Sequence, residues 1–131
     1  MNEKYGIQSL SFVSLYFKEH AEAIAFYSKV LGPPDKVNEE ESYTGWKLGD
    51  TWLTIFPSKI GTAPDSNPCN TEFAICVSTD EQVDALFAAF VEAGATGNWK
   101  PEDTWMYDPM RFSAVDDPFG VRIDIYCPHP K

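Results

Sequence analysis

The sequence predicts an α+β fold in which two consecutive βαβββ modules form one domain. Each half of the 131-residue chain has a strand-like stretch, an amphipathic helical stretch and three further strand-like stretches. A segment rich in Pro, Gly, Ser, Asn and Asp separates the halves, and a chain of this length has no room for two independent domains. We therefore expect one domain over residues 1–131, with modules at 9–57 and 71–127 and a connection at 58–70.

The first module opens with a strand-forming stretch at residues 10–17, where aromatic and aliphatic residues dominate. Apolar residues at helical spacing predict a helix over 19–31. Gly32 and the two prolines after it end this helix, because Gly suits the C-terminal turn and Pro cannot continue a helix. Three short strands are expected next, near residues 35–38, 42–48 and 51–56.

The second module repeats this plan and begins with a strand at residues 72–77. Ser78 and Glu81 have the spacing of a capping box, which places the N-cap of the second helix at Ser78. Five apolar residues then follow the helical period: Val83, Leu86, Phe87, Phe90 and Val91. Gly94 ends the helix. Three strands are expected at 96–100, 111–115 and 121–126, with a loop over 100–110 and a turn at 117–120.

The acidic charge of the chain narrows the choice of partners. There are 10 basic and 20 acidic residues, which gives a net charge of −10. Nucleic acid and anionic membranes are disfavoured as partners, whereas a cationic small molecule fits. The longest apolar run covers only residues 85–91, far short of the ~20 residues of a membrane-spanning helix. We also expect no secretory signal, because no apolar stretch follows a basic start.

The cysteine pattern indicates the redox environment. The three cysteines, Cys69, Cys76 and Cys127, are widely spaced and form no C-x-x-C motif. This pattern predicts free thiols in a reducing compartment and hence a cytoplasmic protein. Cys76 lies in an apolar strand-like run, so we expect it to be a small core residue.

Four segments of the chain resemble the signatures of one family. They are AIAFYSKVLG at 23–32, LFAAFVEAG at 86–94, WMYDPMRF at 105–112 and the DPFG turn at 117–120 with the strand after it. In this order they resemble the vicinal oxygen chelate superfamily, which includes glyoxalase I, bleomycin resistance proteins and extradiol dioxygenases. The resemblance implies an open, U-shaped mixed sheet around a cleft. It also implies a homodimer, and in some relatives the cleft is built across the two chains.

Metal-dependent relatives carry ligands at four inward-facing strand positions, which fall here on Phe12, Thr54, Glu72 and Asp124. Phe12 cannot bind a metal, Thr54 offers only a neutral hydroxyl, and none of the four is a histidine. We therefore expect no metal or other cofactor, with Glu72 and Asp124 as the candidates if a Mg²⁺-like ion is held. Two carboxylates in one cleft repel each other, and a cationic ligand would relieve that repulsion. The pair could also serve as a general acid and base.

Aromatic residues provide a second signal for the cleft. Trp52 shares a strand face with Thr54, because side chains alternate along a strand. Trp105 and Tyr107 lie in the predicted 100–110 loop, which borders the cleft in relatives. Aromatic rings beside carboxylates favour a flat cationic ligand, and each such contact contributes about 0.5–2 kcal/mol. The predicted ligand-binding residues are Phe12, Trp52, Thr54, Glu72, Trp105, Tyr107 and Asp124.

Together these patterns predict a metal-independent protein that binds a small organic ligand, cationic and aromatic in character, and sequesters it as bleomycin resistance proteins do. No catalytic residue is identified, and a non-enzymatic role is favoured. Two alternatives remain open. One is a metal-dependent, glyoxalase-like lyase or isomerase that uses Glu72 and Asp124. The other is a dimeric interaction module whose function lies in its interface.

Overall fold

The structure of the protein, a computed structural model, describes residues 3–105 and 108–130. Its first half contains β1 (Phe12–Phe17), α1 (His20–Leu31), β2 (Lys36–Asn38), β3 (Tyr43–Leu48) and β4 (Thr51–Pro57). Its second half contains β5 (Thr71–Cys76), α2 (Asp80–Ala93), β6 (Thr96–Trp105), β7 (Pro109–Asp116) and β8 (Val121–Pro128). Short 3-10 helices cover Glu3–Tyr5 and Ser58–Ile60. The predicted α+β class with two βαβββ units is confirmed.

Each half forms one four-stranded mixed sheet, and the two sheets have the same topology. The strand orders are β1-β4-β3-β2 and β5-β8-β7-β6. In each sheet the first strand pairs in parallel with the last, and the other pairs are antiparallel. The registers also correspond, because Phe12 lies opposite Trp52 in the first sheet as Glu72 lies opposite Arg122 in the second. Equivalent positions of the two halves can therefore be compared directly.

One hydrophobic core joins the two halves. The helices α1 and α2 pack against each other, and the rings of Phe26 and Phe90 stack with their centroids 5.9 Å apart. Phe17 and Phe119 meet edge to face at 5.6 Å. Both ring pairs take one residue from each half, so each half covers apolar surface that the other leaves open.

A buried hydrogen bond adds a polar link between the halves. The Tyr27 hydroxyl on α1 donates to Asp117 Oδ2 at 2.7 Å, while Asp117 Oδ1 accepts from the backbone N–H groups of Phe119 and Val121, each at 2.8 Å. Burial, followed by the charge of Asp117 and this hydrogen bond, raises the pKa of the Tyr27 hydroxyl well above its ordinary value. Asp117 therefore fixes the β7–β8 turn, and Tyr27 holds that turn against α1.

The predicted N-cap of the second helix is wrong by one residue. Thr79, rather than Ser78, is the N-cap, since its hydroxyl accepts from Gln82 N at 3.2 Å and Gln82 Oε1 accepts from Thr79 N at 3.0 Å. Two capping-box patterns overlap in this stretch. Gln82 Oε1 also accepts from the Ser78 N–H at 3.1 Å, so one side chain satisfies two backbone donors and favours the Thr79–Gln82 box.

The predicted loop over 100–110 is wrong over most of its length. The strand β6 continues to Trp105, and β7 begins at Pro109. Because β6 is an edge strand, Pro101 can lie within it without removing a donor from an inner ladder. Register shifts on both sides of Trp99 absorb the remaining irregularity of the β6–β7 pairing.

The expectation of a buried Cys76 is also wrong. Cys76 is exposed and shares its side of β5 with Glu72, whereas Cys127 is buried. The apolar run around Cys76 predicts a strand but does not say which face each residue takes. No helix within residues 3–105 and 108–130 has the length and apolar character needed to cross a membrane.

Candidate functional site

The second sheet carries a cavity of about 230 Å³ on the face that is not packed against α2. Side chains alternate along a strand, so every second residue of β5, β7 and β8 faces this space. The cavity is lined by Glu72, Ala74, Asn98, Trp99, Met110, Phe112, Ala114, Arg122, Asp124 and Tyr126. All of these residues belong to the second half. A more polar cavity of about 300 Å³ lies beside it and shares Glu72 and Arg122 with it.

A pair of carboxyl groups is the most unusual feature of this cavity. Glu72 lies opposite Arg122 and diagonal to Asp124 across the parallel β5–β8 pair. Burial, followed by a side-chain hydrogen bond with Glu72 and the charge of Glu72, raises the pKa of Asp124 from 3.8 to about 7. Asp124 Oδ1 is buried, and no hydrogen-bond donor within the described residues reaches it. Protonation of Asp124 therefore extends into the neutral pH range, because its charged form is disfavoured by burial and by the neighbouring Glu72.

The neighbouring arginine does not neutralise the pair. Arg122 is held by Asp116, with Nε to Oδ1 at 2.8 Å and Nη2 to Oδ2 at 3.1 Å. The hydrogen bond from Arg122 lowers the pKa of Asp116, so this partner stays ionised. Arg122 acts on Asp124 only as a weaker, opposing influence on its pKa. The carboxyl groups of Glu72, Asp116 and Asp124 thus surround the single guanidinium of Arg122, so the site favours a positively charged ligand.

Aromatic and apolar side chains form the rest of the wall. Trp99 on β6 and Phe112 on β7 meet edge to face, with centroids 5.1 Å apart. Met110 and Phe112 are buried, and Tyr126 packs against them from β8. The carboxyl pair therefore lies beside rings that can stack on a flat ligand or attract a cation.

Three of the predicted ligand-binding residues lie on the first sheet, away from this cavity. Phe12 is 61% exposed and Trp52 is half-buried beside it across the β1–β4 pair. Thr54 is buried, and its hydroxyl is occupied by Ser14 Oγ at 2.6 Å and the Val13 carbonyl at 3.2 Å. The structure thus places Glu72 and Asp124 together and holds Phe12, Trp52 and Thr54 on a separate sheet.

Of the predicted aromatic residues at positions 105 and 107, only Trp105 lies within the described residues, and it is not among the residues that line the cavity. Trp105 is 69% exposed at the end of β6, and Tyr107 lies outside the described residues. Trp99 and Phe112 line it instead, and sequence reasoning did not assign them to the site. The alternation along β7 would have placed Phe112 on the same face as Met110, but only the β7–β8 register shows that this face is the one that carries Asp124.

The donor set does not fit the metal site that the family resemblance implies. Phe12 and Thr54 on β1 and β4 have the same diagonal relation as Glu72 and Asp124 on β5 and β8. The four equivalent positions therefore offer two carboxylates, one occupied hydroxyl and one hydrocarbon ring. A catalytic divalent metal takes three protein ligands, most often including histidine, and this set supplies two.

Comparison with known proteins assigns the family. A sequence model of the glyoxalase/bleomycin resistance protein/dioxygenase superfamily matches residues 9–125. A glyoxalase/bleomycin resistance protein from Albidiferax ferrireducens T118 has a TM-score of 0.75 and 20% identity, covering 90% of this chain and 98% of that one. A glyoxalase-related enzyme from Fulvimarina pelagi has a TM-score of 0.74 and 19% identity, with 92% and 88% coverage. A comparison with curated proteins gives no significant match.

At these identities the solved structures establish a shared fold, while the sequence match extends over nearly all of both βαβββ units. The chain therefore belongs to the glyoxalase/bleomycin resistance protein/dioxygenase superfamily.

Proposed function

We propose that the protein binds a small, flat organic cation in the cavity of the second sheet and sequesters it without a metal ion. The observation that carries this proposal is the placement of the Glu72 and Asp124 carboxyl groups on adjacent strands beside an aromatic wall. A cation entering the cavity favours the ionised form of Asp124, whose pKa is raised by burial and by Glu72. The rings of Trp99, Phe112 and Tyr126 add stacking and cation–π attraction of about 0.5–2 kcal/mol for each contact.

Sequestration is favoured over a metal-dependent lyase or isomerase because of the donor set. Glu72 and Asp124 supply carboxylates, but Phe12 and Thr54 leave half of the family's ligand positions without a usable donor. Metal-free binding needs only the charge and the apolar wall that the cavity provides. This difference supports a function of the bleomycin resistance type over that of the metal-dependent members of the superfamily.

We also propose that the protein is a homodimer in which the first sheet of one copy covers the cavity of the other. The first sheet exposes aromatic surface at Phe12 and Tyr16, and Tyr16 stacks on Phe56 at 5.3 Å. Exposed aromatic side chains are enriched at protein–protein interfaces. The three free cysteines suit a reducing compartment, so the cytoplasm is the proposed location.

Tryptophan fluorescence provides the test, because Trp99 lines the cavity. The probe is 10-methylacridinium, a flat permanent cation, and neutral acridine at pH 8 is its control. We expect the cation to quench fluorescence saturably and to bind at least about tenfold more tightly than acridine, as one charge-assisted contact predicts. Equal affinity for the two compounds would overturn the assignment of a cation site.

Two variants locate the site. Asp124→Asn removes a charge from the cavity, and Glu92→Gln removes one from an exposed position on α2. We expect Asp124→Asn to weaken cation binding about tenfold or more and Glu92→Gln to leave it unchanged. Added Ni²⁺ or Mg²⁺ should not change the affinity. A metal requirement that disappears in Asp124→Asn would instead support the lyase or isomerase.

A further inference from the structure

Three side chains of metal-ligand type meet on the other side of the second sheet. Asp80 is the first residue of α2, Asp103 lies on β6, and His129 follows β8. One ligand atom from each lies within 4.8 Å of the other two. His129 Nε2 is 2.9 Å from Asp80 Oδ1 and 3.9 Å from Asp103 Oδ1. Residues far apart in the chain therefore direct one nitrogen and two carboxylates toward a common point.

This cluster is separate from the cavity described above. On β7, Met110 and Phe112 face the cavity, and Arg111 between them faces the opposite way. Arg111 bonds Asp84 on α2 at 2.9 and 3.1 Å and Asp103 at 3.2 Å. The cluster thus lies on the side of the sheet that carries α2, and none of its residues occupies a ligand position implied by the family resemblance.

The spacing of the three ligand atoms suits a metal ion. Zn²⁺ bonds imidazole nitrogen and carboxylate oxygen at about 2.0–2.2 Å, so adjacent ligand atoms around it lie roughly 3.0–3.5 Å apart. The distances of 2.9 and 3.9 Å lie just outside both ends of that range, and small side-chain rotations would equalise them. The backbones are fixed, because His129 N donates to the Pro109 carbonyl at 2.9 Å and Asp103 pairs with Arg111 in the β6–β7 ladder.

Charge and access also suit a cation. The two carboxylates carry two negative charges, which Arg111 offsets at Asp103 only in part. The His129 side chain is 28% exposed, Asp80 40% and Asp103 67%, so an ion can enter and water can complete its coordination. One imidazole with two carboxylates favours a first-row transition ion over Mg²⁺ or Ca²⁺, which prefer oxygen ligands alone.

We propose that Asp80, Asp103 and His129 bind one divalent first-row metal ion, such as Zn²⁺, with water as the remaining ligands. The ion would tie the start of α2, the edge strand β6 and the segment after β8 together. This site is independent of the ligand cavity and of the proposed function.

Calorimetric titration of the untagged chain with Zn²⁺ at pH 7.5 tests the proposal. Because Cys69 and Cys76 are exposed thiols that bind zinc, the titration uses the Cys69→Ser, Cys76→Ser background. We expect one ion per chain, saturating below about 1 mM. His129→Ala removes a direct ligand and should weaken binding at least about tenfold, since even the loss of an outer-shell partner typically costs about 10–100-fold.

Three further variants separate the explanations. Asp103→Asn keeps the His129–Asp80 contact and should also weaken Zn²⁺ binding about tenfold. The proposal can therefore be tested even if His129→Ala does not fold. Glu81→Gln removes a neighbouring exposed charge, and Asp124→Asn removes one from the cavity; both should bind as the parent does. The proposal is overturned if the parent fails to bind Zn²⁺, if binding survives both His129→Ala and Asp103→Asn, or if Asp124→Asn abolishes it.

Discussion

Replacing Asp124 with Asn tests the raised pKa of Asp124, because the two side chains have nearly the same shape and only the carboxyl group ionises. Folding raises the pKa of Asp124 from 3.8 to about 7. A pKa raised by folding contributes stability that is complete below the unfolded value and is lost as the pH rises through the folded value. The native protein should therefore lose stability between about pH 4 and pH 7 through this group, and Asp124→Asn should remove that loss.

The size of the effect follows from the shift. The interval from pH 5 to pH 8 covers about two of the three pKa units of the shift, which corresponds to about 3 kcal/mol, since one unit is worth about 1.4 kcal/mol. Asp124 is partly accessible through the cavity and Arg122 opposes the shift, so screening reduces the expected effect to about 1–2 kcal/mol. The free energy of unfolding of Asp124→Asn minus that of the parent should therefore be about 1–2 kcal/mol larger at pH 8 than at pH 5.

Urea unfolding of both proteins at the two pH values measures the gain directly. Glu92→Gln, which removes an exposed charge from α2, serves as the control and should show the same small effect at both pH values. If Asp124→Asn changes the stability equally at pH 5 and pH 8, with the same denaturant dependence, Asp124 is not protonated in the native protein at pH 5 and the raised pKa is refuted.

Three further substitutions test contacts elsewhere in the molecule. Tyr27→Phe should lower the free energy of unfolding in urea by about 1.5–3 kcal/mol, because the buried Asp117 carboxylate loses a hydrogen bond. It should also weaken the decline in stability expected above about pH 10, and an unchanged free energy of unfolding would contradict the Tyr27–Asp117 hydrogen bond. Gly120→Ala should lower the melting temperature more than Gly49→Ala. The φ angle is positive at both positions, 109° and 64°, but only at position 120 would an added Cβ clash with the Pro68 carbonyl oxygen, and equal effects would refute that contact. Phe12→Asp should yield monomers in light-scattering measurements, and a persistent dimer would place the interface elsewhere.

The fold could be predicted from local patterns because those patterns repeat. Gly32 and Gly94 end the two helices as expected. The errors occurred where two local solutions compete or where tertiary position decides. Ser78 and Thr79 both begin a capping-box pattern, and the local sequence does not decide between them. Pro101 favours a loop, and only the sheet order shows that β6 is an edge strand that can contain a proline.

The candidate site was predictable only in its charged part. Glu72 and Asp124 were found through their distance from family signatures, and the β5–β8 register places them on adjacent strands. Trp99 could not be assigned, because register shifts on both sides of it break the alternation that reveals a face. Phe12 and Thr54 on the first sheet were predicted from the ligand positions of metal-dependent relatives. Nothing in the local sequence indicates that the cavity is lined by the second sheet alone.

The two halves share one geometry and differ in chemistry. Phe12 and Thr54 stand where Glu72 and Asp124 stand in the other half, so the topology itself does not require a carboxyl pair. A carboxyl group whose pKa is raised on folding costs stability at neutral pH, and an apolar side chain in place of Asp124 would avoid that cost. A cation that favours the ionised form of Asp124 offsets the same cost, so ligand binding should stabilise the protein more at pH 8 than at pH 5. The destabilising effect of Asp124 and the affinity for cations therefore have one physical origin, and Asp124→Asn should remove both.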